Sequence, residues 1–133
     1  MNIYLETFIF AIILLVIDGV WIKLYMGSKY ETFLGDNQKK ANYLAVFLAY
    51  IVMIIAYPIL IKRSDDEDKD DDNVLRDRLI RAVVCGLVIY GTYGFTLAAI
   101  FKGYGLEFAF TEVCWGIFLY TVVTLIVYYI SGK

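Results

Sequence analysis

The sequence has no histidine, and this absence removes several kinds of catalytic site. Without an imidazole there is no histidine general base, no Ser-His triad and no histidine-ligated metal centre. Serine occurs only at Ser28, Ser64 and Ser131, which lie outside the apolar runs or at their very ends. A serine nucleophile embedded in a membrane is therefore not expected.

Cysteine and proline are also scarce, with two cysteines and one proline among 133 residues. Cys85 and Cys114 lie in apolar runs without the spacing of a metal site, so we interpret both as small buried residues. Pro58 lies in the last turn of an apolar run, where it is expected to kink or fray a helix. The sequence predicts no metal site and does not identify a cofactor.

Apolar residues are abundant: 61% of the chain is hydrophobic and the mean hydropathy is +0.68. A soluble domain of this size would expose more apolar surface than water tolerates, so a multi-pass integral membrane protein is predicted. The fold class expected is all-α, an antiparallel bundle of four transmembrane helices, because four strands cannot close a membrane barrel. The apolar runs, each near the ~20 residues of a spanning helix, predict helices over about 3–25, 43–61, 80–101 and 108–130.

A strongly acidic segment, 64–73, separates the second and third predicted helices within this single domain of residues 1–133. Charged and amide side chains fill all but one of its positions, which is typical of a solvated, disordered loop. Its alternating aspartates resemble a calcium-binding loop, but Asp71 stands where an EF-hand requires glycine. A calcium site is therefore not expected there.

Lysine and arginine residues near the helix ends predict the orientation of the bundle. Seven such residues lie on the side of both termini, against five on the opposite side. Since cytoplasmic loops carry an excess of basic residues, both termini are predicted to be cytoplasmic.

The order of the helices predicts which polar side chains share a membrane face. In an antiparallel bundle the end of helix one, with Asp18 and Trp21, meets the start of helix four, with Glu112 and Trp115. In both helices the indole follows the acid by three residues, which places the two about 60° apart on one face. Hydroxyl side chains are expected at similar depth near the end of helix three, at Tyr90, Thr92, Tyr93 and Thr96, and at the start of helix two, at Tyr43 and Tyr50. One polar site in a single leaflet is expected.

The two acids, Asp18 and Glu112, have a functional and a structural interpretation. Acids are expensive inside a bilayer and mark function there, and two close carboxylates suit acid–base chemistry, proton relay or cation binding. In the structural interpretation each acid is ionised near the interface and hydrogen-bonded to tyrosine or threonine. Trp21 and Trp115 either line a ligand pocket or belong to the interfacial aromatic belt. Tyr93 and Thr96 are the predicted hydroxyl partners of the acids.

Three groups of residues match a known pattern: Asp18 with Trp21, Tyr90-Gly91-Thr92-Tyr93 with Thr96, and Glu112 with Trp115-Gly116. In these groups, and over most of the chain outside the acidic segment, the sequence resembles an uncharacterised family of small membrane proteins, the domain of unknown function 2177. It departs from the family pattern in helix three, with Gly94 in place of an acid and Leu97 in place of an amide. Glu112 also replaces the usual aspartate. The resemblance implies a fold and a site, but no reaction and no catalytic residue.

Three classes of function fit these features. The first is a protein that binds or modifies a lipid or other apolar small molecule, with the two acids as acid–base or orienting groups. The second is a small transporter or channel for protons or cations, formed as a homo-oligomer because four helices enclose little room for water. The third is a non-catalytic assembly protein. The first is preferred because the polar residues gather in one leaflet. The lipid bilayer is the expected partner, and no nucleic acid is expected.

Overall fold

Four long helices make up the fold. The computed structural model describes residues 2–29, 43–63, 66 and 68–131, and no strand occurs among them. The helices are α1 (Ile3–Trp21), α2 (Tyr43–Ala56), α3 (Asp71–Ile100) and α4 (Leu106–Ser131). A π-helical segment extends α1 over Ile22–Met26 and α2 over Tyr57–Ile61. All four are long and apolar enough to cross a membrane, which confirms the predicted all-α fold with four transmembrane helices.

The buried face of α1 is a stripe of every fourth residue, with an acid at each end. Asn2 caps the helix, since its side-chain oxygen accepts a hydrogen bond from the Tyr4 amide at 2.6 Å. The buried positions of α1 are Glu6, Phe10, Leu14 and Asp18. At 1.5 Å per residue, the two acids of this stripe lie about 18 Å apart along the helix. They therefore lie towards opposite ends of the helix.

Helices α3 and α4 pack closely because small residues line their interface. A Cβ atom placed on Gly86 would lie 2.4 Å from the carbonyl oxygen of Gly116, and one placed on Gly94 would lie 3.3 Å from the Cα of Ala109. Such backbone approach is typical of glycine at transmembrane helix contacts. The turn between the helices includes Gly103, whose φ of 93° suits glycine. Helix α1 packs against α4 of this pair, whereas the second helix contacts α3 through its π-helical extension, Tyr57–Ile61.

The third helix begins at Asp71, several turns earlier than the predicted start near residue 80. Its 30 residues span about 45 Å, which exceeds the ~30 Å hydrocarbon core, so its first turns extend beyond the apolar layer. Of the segment 64–73, residues 64, 65 and 67 lie outside the described residues, whereas Asp66 is fully buried. The buried interpretation of Cys114 is wrong: Cys85 is buried, but Cys114 is exposed on the outer surface of α4.

Candidate functional site

Asp18 is the centre of a hydrogen-bonded group that joins all four helices. Its side chain is buried, with 5% exposure, and accepts three hydrogen bonds. The Tyr50 hydroxyl of α2 donates to Oδ2 at 2.5 Å, and the Trp115 indole of α4 donates to Oδ1 at 2.9 Å. The Tyr90 hydroxyl of α3 also donates to Oδ1, at 3.3 Å. All three donors are neutral, so they hold the carboxyl group in place without supplying a positive charge.

A cavity of about 560 Å³ lies beside Asp18. Glu112, which is 3% exposed, contributes a second carboxyl group to its lining. Tyr90 and Tyr93 add aromatic rings from α3, and α2 supplies most of the apolar wall, formed by Val46, Ala49, Val52 and Met53. Among the described residues, no lysine or arginine lines the cavity. The cavity thus combines apolar walls with two acids.

The two tryptophans stack on each other where α1 meets α4. The ring centroids of Trp21 and Trp115 lie 4.3 Å apart, and their planes differ by 6°. Trp115 is oriented by its hydrogen bond to Asp18. The Nε1 atom of Trp21 is buried and has no hydrogen-bond partner within the described part of the chain. Trp21 itself is one of the residues that line the cavity.

We refer to Asp18, Trp21, Tyr50, Tyr90, Glu112 and Trp115 as the cavity end of the bundle. The structure brings the predicted site residues Asp18, Trp21, Tyr90, Tyr93 and Glu112 to one cavity. Trp115 lies beside it, through its bonds and stacking, whereas Thr96 is exposed and outside the cavity lining. At about 100° per residue, Thr96 lies about 160° from the buried Gly94, on the opposite face of α3.

Tyr50 is the residue of this end that the sequence did not identify as a site member. It was expected only at the same membrane depth as Asp18. Because α2 is apolar on all faces, its sequence carries no periodic signal that says which residue points inward. A tyrosine in an otherwise hydrocarbon helix is the one hint, since a buried hydroxyl needs a partner.

Tyr104 lies in the turn between α3 and α4 and is 2% exposed. Burial raises the pKa of the Tyr104 phenol, and the nearby Glu112 and Tyr93 raise it further. The phenol therefore stays protonated at neutral pH.

A second polar group, which we call the ion-pair end, lies at the opposite end of the bundle. It consists of Glu6, Lys62, Asp66, Arg78, Arg81 and Ser131. Lys62 pairs with Glu6, whose other oxygen accepts a hydrogen bond from the Ser131 hydroxyl at 2.5 Å. Arg81 donates to the carbonyl oxygen of Ile61 at 2.8 Å, which connects this pair to the neighbouring arginines.

Asp66 is the anchor of the two arginines at the ion-pair end. Arg78 Nε donates to it at 3.0 Å and Arg81 Nη1 at 3.2 Å. Burial tends to raise the pKa of Asp66, but the hydrogen bond from Arg78, assisted by the Arg63 amide and Arg81, holds that pKa below its ordinary value of 3.8. Both acids at this end are thus paired with basic side chains of the chain.

Comparison with known proteins identifies a family. A family model described as a predicted membrane protein (DUF2177) matches residues 3–129. No curated protein and no solved structure shows a significant match to the chain. The matched region contains the cavity end and almost the whole of the four helices, and of the ion-pair end only Ser131 lies beyond it. Since it covers far more than half of the chain, the protein belongs to the DUF2177 family of predicted membrane proteins.

Proposed function

We propose that this membrane protein binds a lipid or another apolar small molecule in the cavity beside Asp18. The observation that carries the proposal is a cavity of about 560 Å³ with apolar walls and a buried carboxyl group held by three donors. Small-molecule sites are typically apolar clefts of ~300–1,000 Å³ with a few fixed polar groups. The cavity has the size and composition of such a site.

The α2 wall gives access from the bilayer. Val46 and Val52 line the cavity and are also 43% and 64% exposed. Every residue from 43 to 49 is exposed. Because α2 is long and apolar enough to cross a membrane, we expect its exposed side chains to face hydrocarbon rather than water. An apolar ligand therefore reaches the cavity laterally, past the first half of α2.

The polar residues of the cavity have different roles in this proposal. Both oxygens of Asp18 already accept hydrogen bonds, so Asp18 is suited to orienting the polar part of the ligand. Glu112, on the same cavity, is the candidate for proton transfer to or from a bound molecule. The aromatic rings of Trp21 and Tyr93 provide flat contact surface.

The core between the two polar ends supports a binding site rather than a path across the membrane. The side chains that fill it include Phe10, Leu14, Leu119 and Val123, each with 0% exposure. Tyr57, Tyr120 and Thr124 add hydroxyl groups to this layer, but among the described residues no charged side chain lies within it. It therefore offers little solvation to ions or protons that would cross the bundle. A ligand held in one leaflet needs no such passage.

Native mass spectrometry of the protein in a mild neutral detergent tests this proposal. The protein should retain a co-purified lipid or apolar molecule. The variant Ala49→Phe, which places a phenyl ring in the cavity wall, should lose it. Ala99→Phe makes the same change on an exposed face of α3 outside the cavity and should retain the molecule. Equal retention by both variants would contradict binding in this cavity.

We also infer that both termini are cytoplasmic, from the excess of basic residues on their side. Single cysteines introduced at Ser28 and Asp68, both exposed, report the two faces in a variant without Cys85 and Cys114. An impermeant thiol reagent added to whole cells should label Ser28→Cys and not Asp68→Cys. The reverse pattern would invert the orientation.

A further inference from the structure

Resting on the proposed function, we propose that the molecule bound in the cavity is an amphiphile with an ammonium head group. The head lies against Asp18 and the aromatic rings, and the hydrocarbon chain lies along α2.

The charge of the cavity is the first observation that favours an ammonium head group. The three groups bonded to Asp18 all act as donors, an arrangement that suits an ionised carboxylate, which only accepts. Within the described part of the chain, no basic side chain forms an ion pair with Asp18. A buried negative charge is costly unless a cation accompanies it. An ammonium group supplied by the ligand completes the pair.

The rings around the carboxyl groups are the second support. Trp21, Tyr50, Tyr90 and Tyr93 line the same cavity as the two acids. Aromatic faces attract ammonium groups, and quaternary ammonium ligands are recognised in this way. The same site disfavours an anionic head group, because Asp18 and Glu112 would repel it. A head group without charge gains from neither effect.

The apolar part of the cavity accounts for the chain of the ligand. Val46, Val52 and Met53 of α2 and Ile89 of α3 present hydrocarbon next to the acids. A small inorganic cation would leave this surface without contacts. Since the α2 side is exposed to the bilayer, the chain remains in an apolar medium on both sides.

The tryptophans allow a direct measurement. Trp21 and Trp115 are the only two in the chain, and they stack beside the cavity. Bromine on an alkyl chain quenches tryptophan fluorescence at short range. The probes are a brominated alkyltrimethylammonium, the brominated alcohol and the brominated fatty acid of equal chain length. Each is titrated into the protein in neutral maltoside micelles.

We expect saturable quenching by the ammonium probe, with half-saturation roughly tenfold below that of the alcohol and the acid. An equal or reversed order would overturn the ammonium assignment. If the alcohol saturates as well as the ammonium probe and Ala49→Phe blocks both, the proposed function stands and only the ammonium assignment fails. If no probe saturates, or if Ala49→Phe changes nothing, the proposed function fails too.

Tetramethylammonium, a head without a chain, should not displace the ammonium probe at equal concentration. Equal displacement would indicate a site for small cations and would overturn the assignment of the ligand as an amphiphile. In Asp18→Asn the half-saturation values of ammonium and alcohol should converge to within about twofold. Glu112→Gln is the second variant, measured in case Asp18→Asn does not fold. It should also reduce the preference for the ammonium probe over the alcohol. A full tenfold preference retained in each folded variant would overturn the proposal.

Discussion

Glu6 and Asp18 lie on the same buried stripe of α1, yet their surroundings differ. Glu6 has 0% exposure and is paired with Lys62 and hydrogen-bonded by Ser131. Asp18 is held by neutral donors and adjoins a cavity of about 560 Å³. The charge of Glu6 is neutralised within the chain, whereas that of Asp18 is not. This difference is the reason why we propose a ligand beside Asp18 and none beside Glu6.

We interpret the ion-pair end as a set of contacts that stabilises the fold. Asp66 joins the connection between α2 and α3 to Arg78 and Arg81 on the third helix, and Lys62 joins the end of α2 to Glu6 on α1. Serine at the end of α4 completes the contact. Stability is therefore expected to depend on this end, and binding on the cavity end.

The largest effect is expected from Asp66→Asn. Arg78 is 1% exposed, so removal of its acidic partner leaves a buried positive charge, which typically costs ~3–5 kcal/mol of unfolding free energy. The measurement is unfolding by denaturant in detergent, followed by circular dichroism. Asp68→Asn, an exposed residue two positions away, is the control and should change stability by less than about 0.5 kcal/mol. Equal losses of unfolding free energy in the two variants would show that the ion-pair end does not stabilise the fold.

Gly86→Ala should have the next largest effect on stability. It should loosen the contact between α3 and α4, which both contribute residues to the two ends. The added Cβ atom would lie 2.4 Å from the Gly116 carbonyl oxygen, so α3 and α4 must separate. Overpacking of this kind costs about 1–3 kcal/mol, measurable by thermal unfolding in detergent. The matched control is Gly19→Ala, where no atom lies within 4 Å and stability should not fall. A harmless Gly86→Ala would contradict the close contact.

Changes at Asp18 should affect stability less than those at Asp66. Asp18→Asn keeps an oxygen acceptor for Trp115 and should cost about 1 kcal/mol. Asp18→Leu leaves the indole and the Tyr50 hydroxyl without an acceptor and should cost more, about 1–3 kcal/mol. Thermal melting of the two variants ranks them. A leucine variant as stable as the asparagine variant would show that the hydrogen bonds of Asp18 contribute little.

Acid should weaken the ion-pair end gradually. The pKa of Asp66 is lower in the folded protein than its ordinary value of 3.8. The stability that this shift represents is present above the unfolded-state pKa and is lost as the pH falls through the lower, folded-state pKa. Unfolding followed below pH ~4 should therefore show a decline in the native protein that is shallower in Asp66→Asn. Parallel declines would assign the acid sensitivity to other carboxyl groups.

Much of the fold was predictable from the sequence. The apolar runs gave all four helices, because a spanning segment needs a length and a composition that few other structures share. The early start of α3 was not predicted, because the charges of 64–73 favoured a loop. The long-range pairing of Asp66 with Arg78 and Arg81, which buries the acid beside that helix, has no local signature.

The sequence predicted the membrane depth of the candidate site residues, but not which side chains of each helix face the interior of the bundle. Chain order placed Asp18, Glu112 and Tyr90 in one leaflet, and all three line the cavity. Thr96 was expected beside them, but it lies on the outer face of α3. Helices that are apolar on every side carry little periodic signal, so which hydroxyl faces inward depends on packing between helices.

The decisive test compares Asp18→Asn with Asp66→Asn in two measurements, unfolding free energy and half-saturation by the brominated ammonium amphiphile. We expect Asp18→Asn to lose roughly tenfold in affinity with a small loss of stability. We expect Asp66→Asn to lose stability but to keep the affinity of its folded fraction within about twofold. If both variants lose affinity to the same extent, or if neither does, the division between a structural end and a binding end is contradicted.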